Sequence, residues 1–142
     1  MRRINYWAVV VAIVAAFAMS SLWYSPILFG AAYARLRGVY PDAPATLTVS
    51  AGQIIGELLR TSVVVLALAS FVVRLGGDTW RDALRLGLRV WFGFAATILL
   101  GAVIHDGMSW TLYAIHAGDW LVKTLLITTI LGVWRGAPKL AG

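Results

Sequence analysis

Four separate apolar runs, each about as long as a membrane is thick, decide what this chain can fold into. Crossing about 30 Å of hydrocarbon takes about 20 helical residues, because each rises about 1.5 Å. Residues 4–28 carry no charged side chain. A second run covers about 48–73 and holds Glu57 and Arg60, and a third covers about 83–104. The last run, about 113–134, carries His116, Asp119 and Lys123. Hydrophobic residues make up 61% of the chain and charged ones 13%. A soluble domain has about 45–50% and about 25%. At 142 residues there is too little interior to hide the excess. The sequence therefore predicts an all-α fold: an integral membrane bundle of four transmembrane helices, one transmembrane domain over residues 1–142.

The connections differ in character. A long polar stretch after the first run holds Arg35, Arg37, Pro41, Asp42 and Pro44, whereas short charged turns around 74–82 and 105–107 join the later runs. The N-terminus also suggests a secretory signal, with Met1-Arg2-Arg3, an apolar stretch and Ala16-Phe17-Ala18. The apolar run continues ten residues past that site, which favours a retained span.

The net charge of +6 does not point to nucleic acid, since the basic residues sit singly or in pairs at the ends of apolar runs. Arg2, Arg3, Arg74, Arg81, Arg85, Arg135 and Lys139 fall on one side of a four-span topology, and Arg35 and Arg37 on the other. The chain is expected to be an inner-membrane protein, and the positive-inside rule then places both termini in the cytoplasm. Tyr6, Trp7, Trp80 and Trp134 are expected at the inner interface, and Trp23, Tyr24, Trp110 and Tyr113 at the outer one. Each run also has a stripe of small residues suited to close helix packing. These are Ala8, Ala12, Ala16 and Ser20, then Gly52 and Gly56, then Gly93, Thr97 and Gly101, then Thr124, Thr128 and Gly132.

Two segments resemble a known family. Trp23-Tyr24-Ser25-Pro26-Ile27-Leu28-Phe29-Gly30 is similar to the signature of the bacterial domain-of-unknown-function family 1761, as is Ile115-His116-Ala117-Gly118 with Leu131-Gly132-Val133-Trp134. The resemblance implies four membrane spans and carries no assigned biochemical role. Asp119 stands where such proteins tend to have an aromatic residue, and Lys123 where they have a small or polar one.

Ionisable groups inside a bilayer cost about 2.5–3.5 kcal/mol each on insertion scales, so they are the candidate site. Glu57 and Arg60 are three apart, Asp119 and Lys123 four apart, and His116 three before Asp119, spacings that share a helix face. Both helices run the same way, so the two sets fall at similar depth and are expected to meet. Gly56-Glu57-Leu58-Leu59-Arg60-Thr61 also reads against Gly118-Asp119-Trp120-Leu121-Val122-Lys123-Thr124 with one residue inserted, as a parallel repeat of two hairpins would.

No nucleophile elbow, phosphate-cradling loop or zinc-protease motif occurs, so an enzyme is not expected. Ser25 reads as a helix-end residue. His105 and His116 lie on different elements, and the chain has no cysteine, so neither a cofactor nor a metal is expected. Two acids and two bases sum to zero, as in a structural polar knot. The expected role is a structural or interaction subunit built around that cluster. The alternative is a small transporter or channel for protons, ions or a small solute. The expected partners are the lipid bilayer and either a second copy or another membrane protein.

Overall fold

The computed structural model describes residues 4–37, 49–75 and 79–134. Arg2, Arg3, Arg135, Lys139 and the Pro41 to Pro44 stretch lie outside the described residues. The elements are α1 (Tyr6–Trp23), α2 (Gly30–Leu36), α3 (Ala51–Leu75), α4 (Trp80–Val90), a π-helical segment (Trp91–Ala96), α5 (Thr97–Asp106) and α6 (Trp110–Val133). α4, the π segment and α5 run on as one helix from Trp80 to Asp106. With α1, α3 and α6 this gives four helices long and apolar enough to cross a membrane.

Local chemistry sets the helix ends. Asn5 caps α1, its side-chain oxygen accepting from the backbone N–H of Trp7 and Ala8. Thr79 and Asp82 form a reciprocal capping box, so α4 starts at Trp80 rather than near residue 83. Ser109 caps α6 through the Leu112 N–H, which moves its start from about 113 to Trp110. His105 and Asp106 belong to the last turn of α5 rather than to a loop. The chain leaves that turn at Gly107, whose φ of 69° suits a residue without Cβ.

The largest departure from the sequence reading is in the first apolar run. α1 stops at Trp23, five residues before residue 28, because Pro26 cannot continue a helix and disfavours helical backbone before it. The chain then turns tightly. Phe29 N–H donates to Trp23 O at 3.0 Å and Gly30 N–H to Ser25 O at 2.9 Å. Gly30 has to be glycine, since a Cβ there would overlap the carbonyls of Tyr24 and Ser25. Ser25 hydroxyl donates to Leu22 O at 2.7 Å, the helix-end role expected of it. Part of the supposed polar connection is helical, as α2.

α6 is the centre of the bundle and packs against α1, α2, α3, α4 and α5. Asn5 Nδ2 donates to Trp134 O at 3.0 Å, and Trp23 Nε1 donates to Ile115 O at 3.0 Å, so α1 and α6 are antiparallel. The bundle thus has an Asn5 end and a Trp23 end. Ala8, Val9, Ala12 and Ala16 of α1, Val65, Leu68, Ala69 and Val72 of α3, and Ile127 and Leu131 of α6 form the apolar core. The first and last small-residue stripes are buried: Ala8, Ala12, Ala16 and Ser20 face the core, as do Thr124, Thr128 and Gly132. Those of the other two helices are not, and a Cβ on Gly56, Gly93 or Gly101 would meet nothing within 4 Å among the described residues.

Candidate functional site

Asp119 and Lys123, one turn apart on α6, are both sealed inside the bundle, at 2% and 1% exposure. Asp119 Oδ1 accepts from the Ser20 hydroxyl of α1 at 2.7 Å, and Oδ2 lies 3.3 Å from Lys123 Nζ. Lys123 extends on toward α3, where Nζ meets Glu57 Oε1 at 3.4 Å. A lysine stem leans toward its helix N-terminus, here toward the Trp23 end and Glu57. Arg60 Nε and Nη2 donate to Glu57 at 2.9 Å and 2.8 Å, and Thr61 hydroxyl lies 3.4 Å from the same carboxylate.

Ser20, Asp119, Lys123, Glu57 and Arg60 therefore make one chain of contacts across α1, α6 and α3. The indole of Trp120 serves as a shared face for its two cations, with Lys123 Nζ 4.7 Å and the Arg60 guanidinium 5.0 Å from the ring centre. Acid and base alternate along it, so each buried charge has an opposite neighbour. That matters because an uncompensated buried charge costs about 3–5 kcal/mol. The two halves are not equivalent, however. The Glu57 and Arg60 side chains are 30% and 51% exposed. The local likeness between the Glu57 and Asp119 segments is thus not matched in burial.

His116 belongs to a second group of contacts, nearer the Trp23 end. Its Nδ1 is 2.7 Å from the Tyr24 hydroxyl, and Tyr33 of α2 sets its ring edge-on to both rings. Arg37, at the end of α2, donates to the Tyr33 hydroxyl at 2.7 Å, which raises the guanidinium above its ordinary range. Trp23 packs at a tilt of 38° against Phe29 with ring centres 4.6 Å apart and lies against Gly118, where a Cβ would come within 2.8 Å of its ring. Trp91, in the π segment, donates its indole N–H to Ala117 O at 2.9 Å. The π segment also receives Tyr113, whose hydroxyl donates to Ala96 O at 3.2 Å.

Parts of the two segments singled out in the sequence are thus the two sides of one junction, Trp23 and Tyr24 on α1 with Ile115, His116 and Gly118 on α6, whereas Leu131 to Trp134 lie at the Asn5 end. Trp23 and Tyr24 are half-buried and fastened to α6, while Tyr6, Trp7, Trp80, Trp110 and Trp134 are exposed. The sequence did not point to Tyr33, Trp91 or Trp120 as site residues. Trp120 could have been found, since it lies between Asp119 and Lys123, but the other two become neighbours of the site only through tertiary packing. No group of three or more His, Cys, Asp or Glu among the described residues could hold a metal ion.

The model of the family described as "Protein of unknown function (DUF1761)" matches residues 7–132, which takes in both junction segments and all five charged or histidine site residues. The chain belongs to the DUF1761 family. No curated protein and no solved structure matches it.

Proposed function

We propose that this chain is a multi-pass protein of the bacterial inner membrane, one transmembrane domain with both termini in the cytoplasm, acting as a structural or interaction subunit. The observation that carries this reading is the pairing of Asp119 and Lys123, each buried and each neutralised, which fastens α6 between Ser20 of α1 and Glu57 of α3. Beyond that pair, toward the Asn5 end, the helices are joined by the apolar core. A charge cluster that ends against an apolar core suits a clamp better than a path. In this role Glu57, Arg60, Asp119 and Lys123 fix which helices are neighbours and in what register, a use of buried ions that is attested elsewhere. The Trp23, Tyr24, Ser25, Pro26 and Gly30 turn fixes α1 to α6 above it.

One observation favours a second reading, a small transporter or channel for protons, ions or a small solute. Two groups of titratable side chains, Tyr24 with His116 and Asp119 with Lys123 and Glu57, lie along the same helix, α6. Reconstitution separates the two. Liposomes loaded with a pH-sensitive dye and containing the purified protein should dissipate a pH gradient no faster than protein-free liposomes. A faster decay that disappears when Asp119 and Lys123 are replaced together would overturn the structural reading.

A further inference from the structure

Ala83 and Gly87 of α4 face the bundle. Arg81, Arg85 and Arg89, four residues apart, fall within about 80° of arc centred on the opposite side, and all three are exposed. Phe92, Phe94 and Ile98 are exposed beyond them, so the outward surface changes from basic to apolar along one helix. Gly87 lies against Thr128 of α6 and the Trp91 indole reaches Ala117 O, so α4 runs antiparallel to α6. The arginines therefore lie toward the Asn5 end.

The helix of 27 residues from Trp80 to Asp106 is about 40 Å long, about 10 Å more than the hydrocarbon layer. Centred in a bilayer, it puts the Arg89 backbone about 9 Å inside that layer. An arginine stem leans toward its helix N-terminus, which here turns the guanidinium back toward the headgroups. Arg85 Nη1 lies 3.4 Å from Asp82, whose other oxygen accepts from the capping Thr79 hydroxyl. Arg89 has no ion-pair or hydrogen-bond partner among the described residues. Lipid tails offer nothing to a guanidinium.

We propose that Arg85 and Arg89, with Arg81 at the rim, hold the phosphate of an anionic phospholipid in the leaflet at the Asn5 end. Guanidinium forks match phosphate oxygens in pairs. Charge complementarity selects the occupant. A second copy brought up by a two-fold axis would set arginine against arginine. A phospholipid supplies an anion at the level of the arginines and tails alongside Phe92, Phe94 and Ile98. The inference needs only that this helix crosses a membrane, and is independent of whether the buried cluster clamps or conducts.

Native mass spectrometry of the full chain tests it, with protein released from micelles holding equal phosphatidylglycerol and phosphatidylcholine. The chain should retain phosphatidylglycerol in excess. Arg85→Gln with Arg89→Gln should cut that excess roughly tenfold, equivalent to about 1.4 kcal/mol. Arg85→Lys with Arg89→Lys should keep most of it. Arg35→Gln, an exposed charge removed at the other end, should leave it unchanged, as Arg89→Gln should not. All these side chains are exposed, so the thermal midpoints of the variants should stay close to that of the parent. Excess inorganic phosphate should not displace the lipid; displacement would mean a site for a soluble anion and overturn the proposal. Equal retention of the two lipids, or an excess indifferent to the paired Gln changes, overturns it too. Retention of neither lipid would overturn it together with its membrane premise.

Discussion

Lys123 reaches from α6 to Glu57 on α3, Nζ to Oε1 at 3.4 Å, while holding Asp119 of its own helix at 3.3 Å. The lysine is therefore the shared member of the cluster. Asp119, by contrast, has Lys123 and the Ser20 hydroxyl as polar neighbours, and Glu57 has Arg60 as well as Lys123. The cost of deletion should follow this inequality.

Lys123→Met is expected to be the most damaging single change in the cluster. It leaves the Asp119 carboxylate buried with Ser20 alone, a loss of about 3–5 kcal/mol. Asp119→Asn should cost less, because Lys123 keeps Glu57 and the new amide oxygen can still accept from Ser20. Combining the two removes both buried charges and should recover much of the loss. Thermal midpoints of the three variants in one detergent give the order. A double variant no more stable than Lys123→Met would contradict a clamp.

Glu57→Gln and Arg60→Gln should be mild by comparison. Both side chains are partly exposed, at 30% and 51%, and partly exposed ion pairs contribute about 0–1 kcal/mol. Spacing in the sequence does not rank the four charges, so the difference is a consequence of burial. Equal midpoint losses for Glu57→Gln and Lys123→Met would show that depth does not govern the cluster.

The sequence made the four long helices legible because apolar run length is a direct measure of what can cross a bilayer. It also put Glu57, Arg60, Asp119 and Lys123 on shared faces, since spacing fixes a helical face. It could not rank them by depth, because burial depends on which neighbours close over each face. The early end of α1 was written in Pro26, but continuous hydropathy through Ile27 and Leu28 concealed it. The π segment left no trace in the apolar pattern: widening one turn within a helix exposed almost all round changes no periodicity. Its signature is tertiary, in the Trp91 indole meeting Ala117 O.

Topology can be checked directly. Asn5 and Trp134 are hydrogen-bonded, so the two ends of the described chain lie on one side. With the Lys and Arg asymmetry, that side should be the cytoplasm. A reporter enzyme active only in the periplasm should be inactive when fused after Gly142, and a fluorescent protein fused there should mature. The opposite pair of results would invert the orientation while leaving the bundle intact.

The junction of Trp23 with α6 predicts a specific coupling. Trp23 is tethered at its indole nitrogen by Ile115 O and flanked by Phe29, so it cannot readily swing away. Gly118→Ala would place a methyl group 2.8 Å from the Trp23 ring, closer than packed carbons allow. Overpacking of this kind costs about 1–3 kcal/mol. Trp23→Phe alone should also destabilise, through the lost indole bond and the smaller ring. In the Gly118→Ala background the same change makes room for the new methyl, so the two penalties should not add. A double-mutant cycle on thermal stability should therefore give a favourable interaction of at least about 0.5 kcal/mol, above the scatter expected for independent sites. Strict additivity would mean that Gly118 is not what admits Trp23 to α6. The control is Gly101→Ala, where a Cβ meets nothing within 4 Å among the described residues and helix propensity favours alanine by about 1 kcal/mol. That variant should be neutral or stabilising, and it should show no coupling to Trp23→Phe.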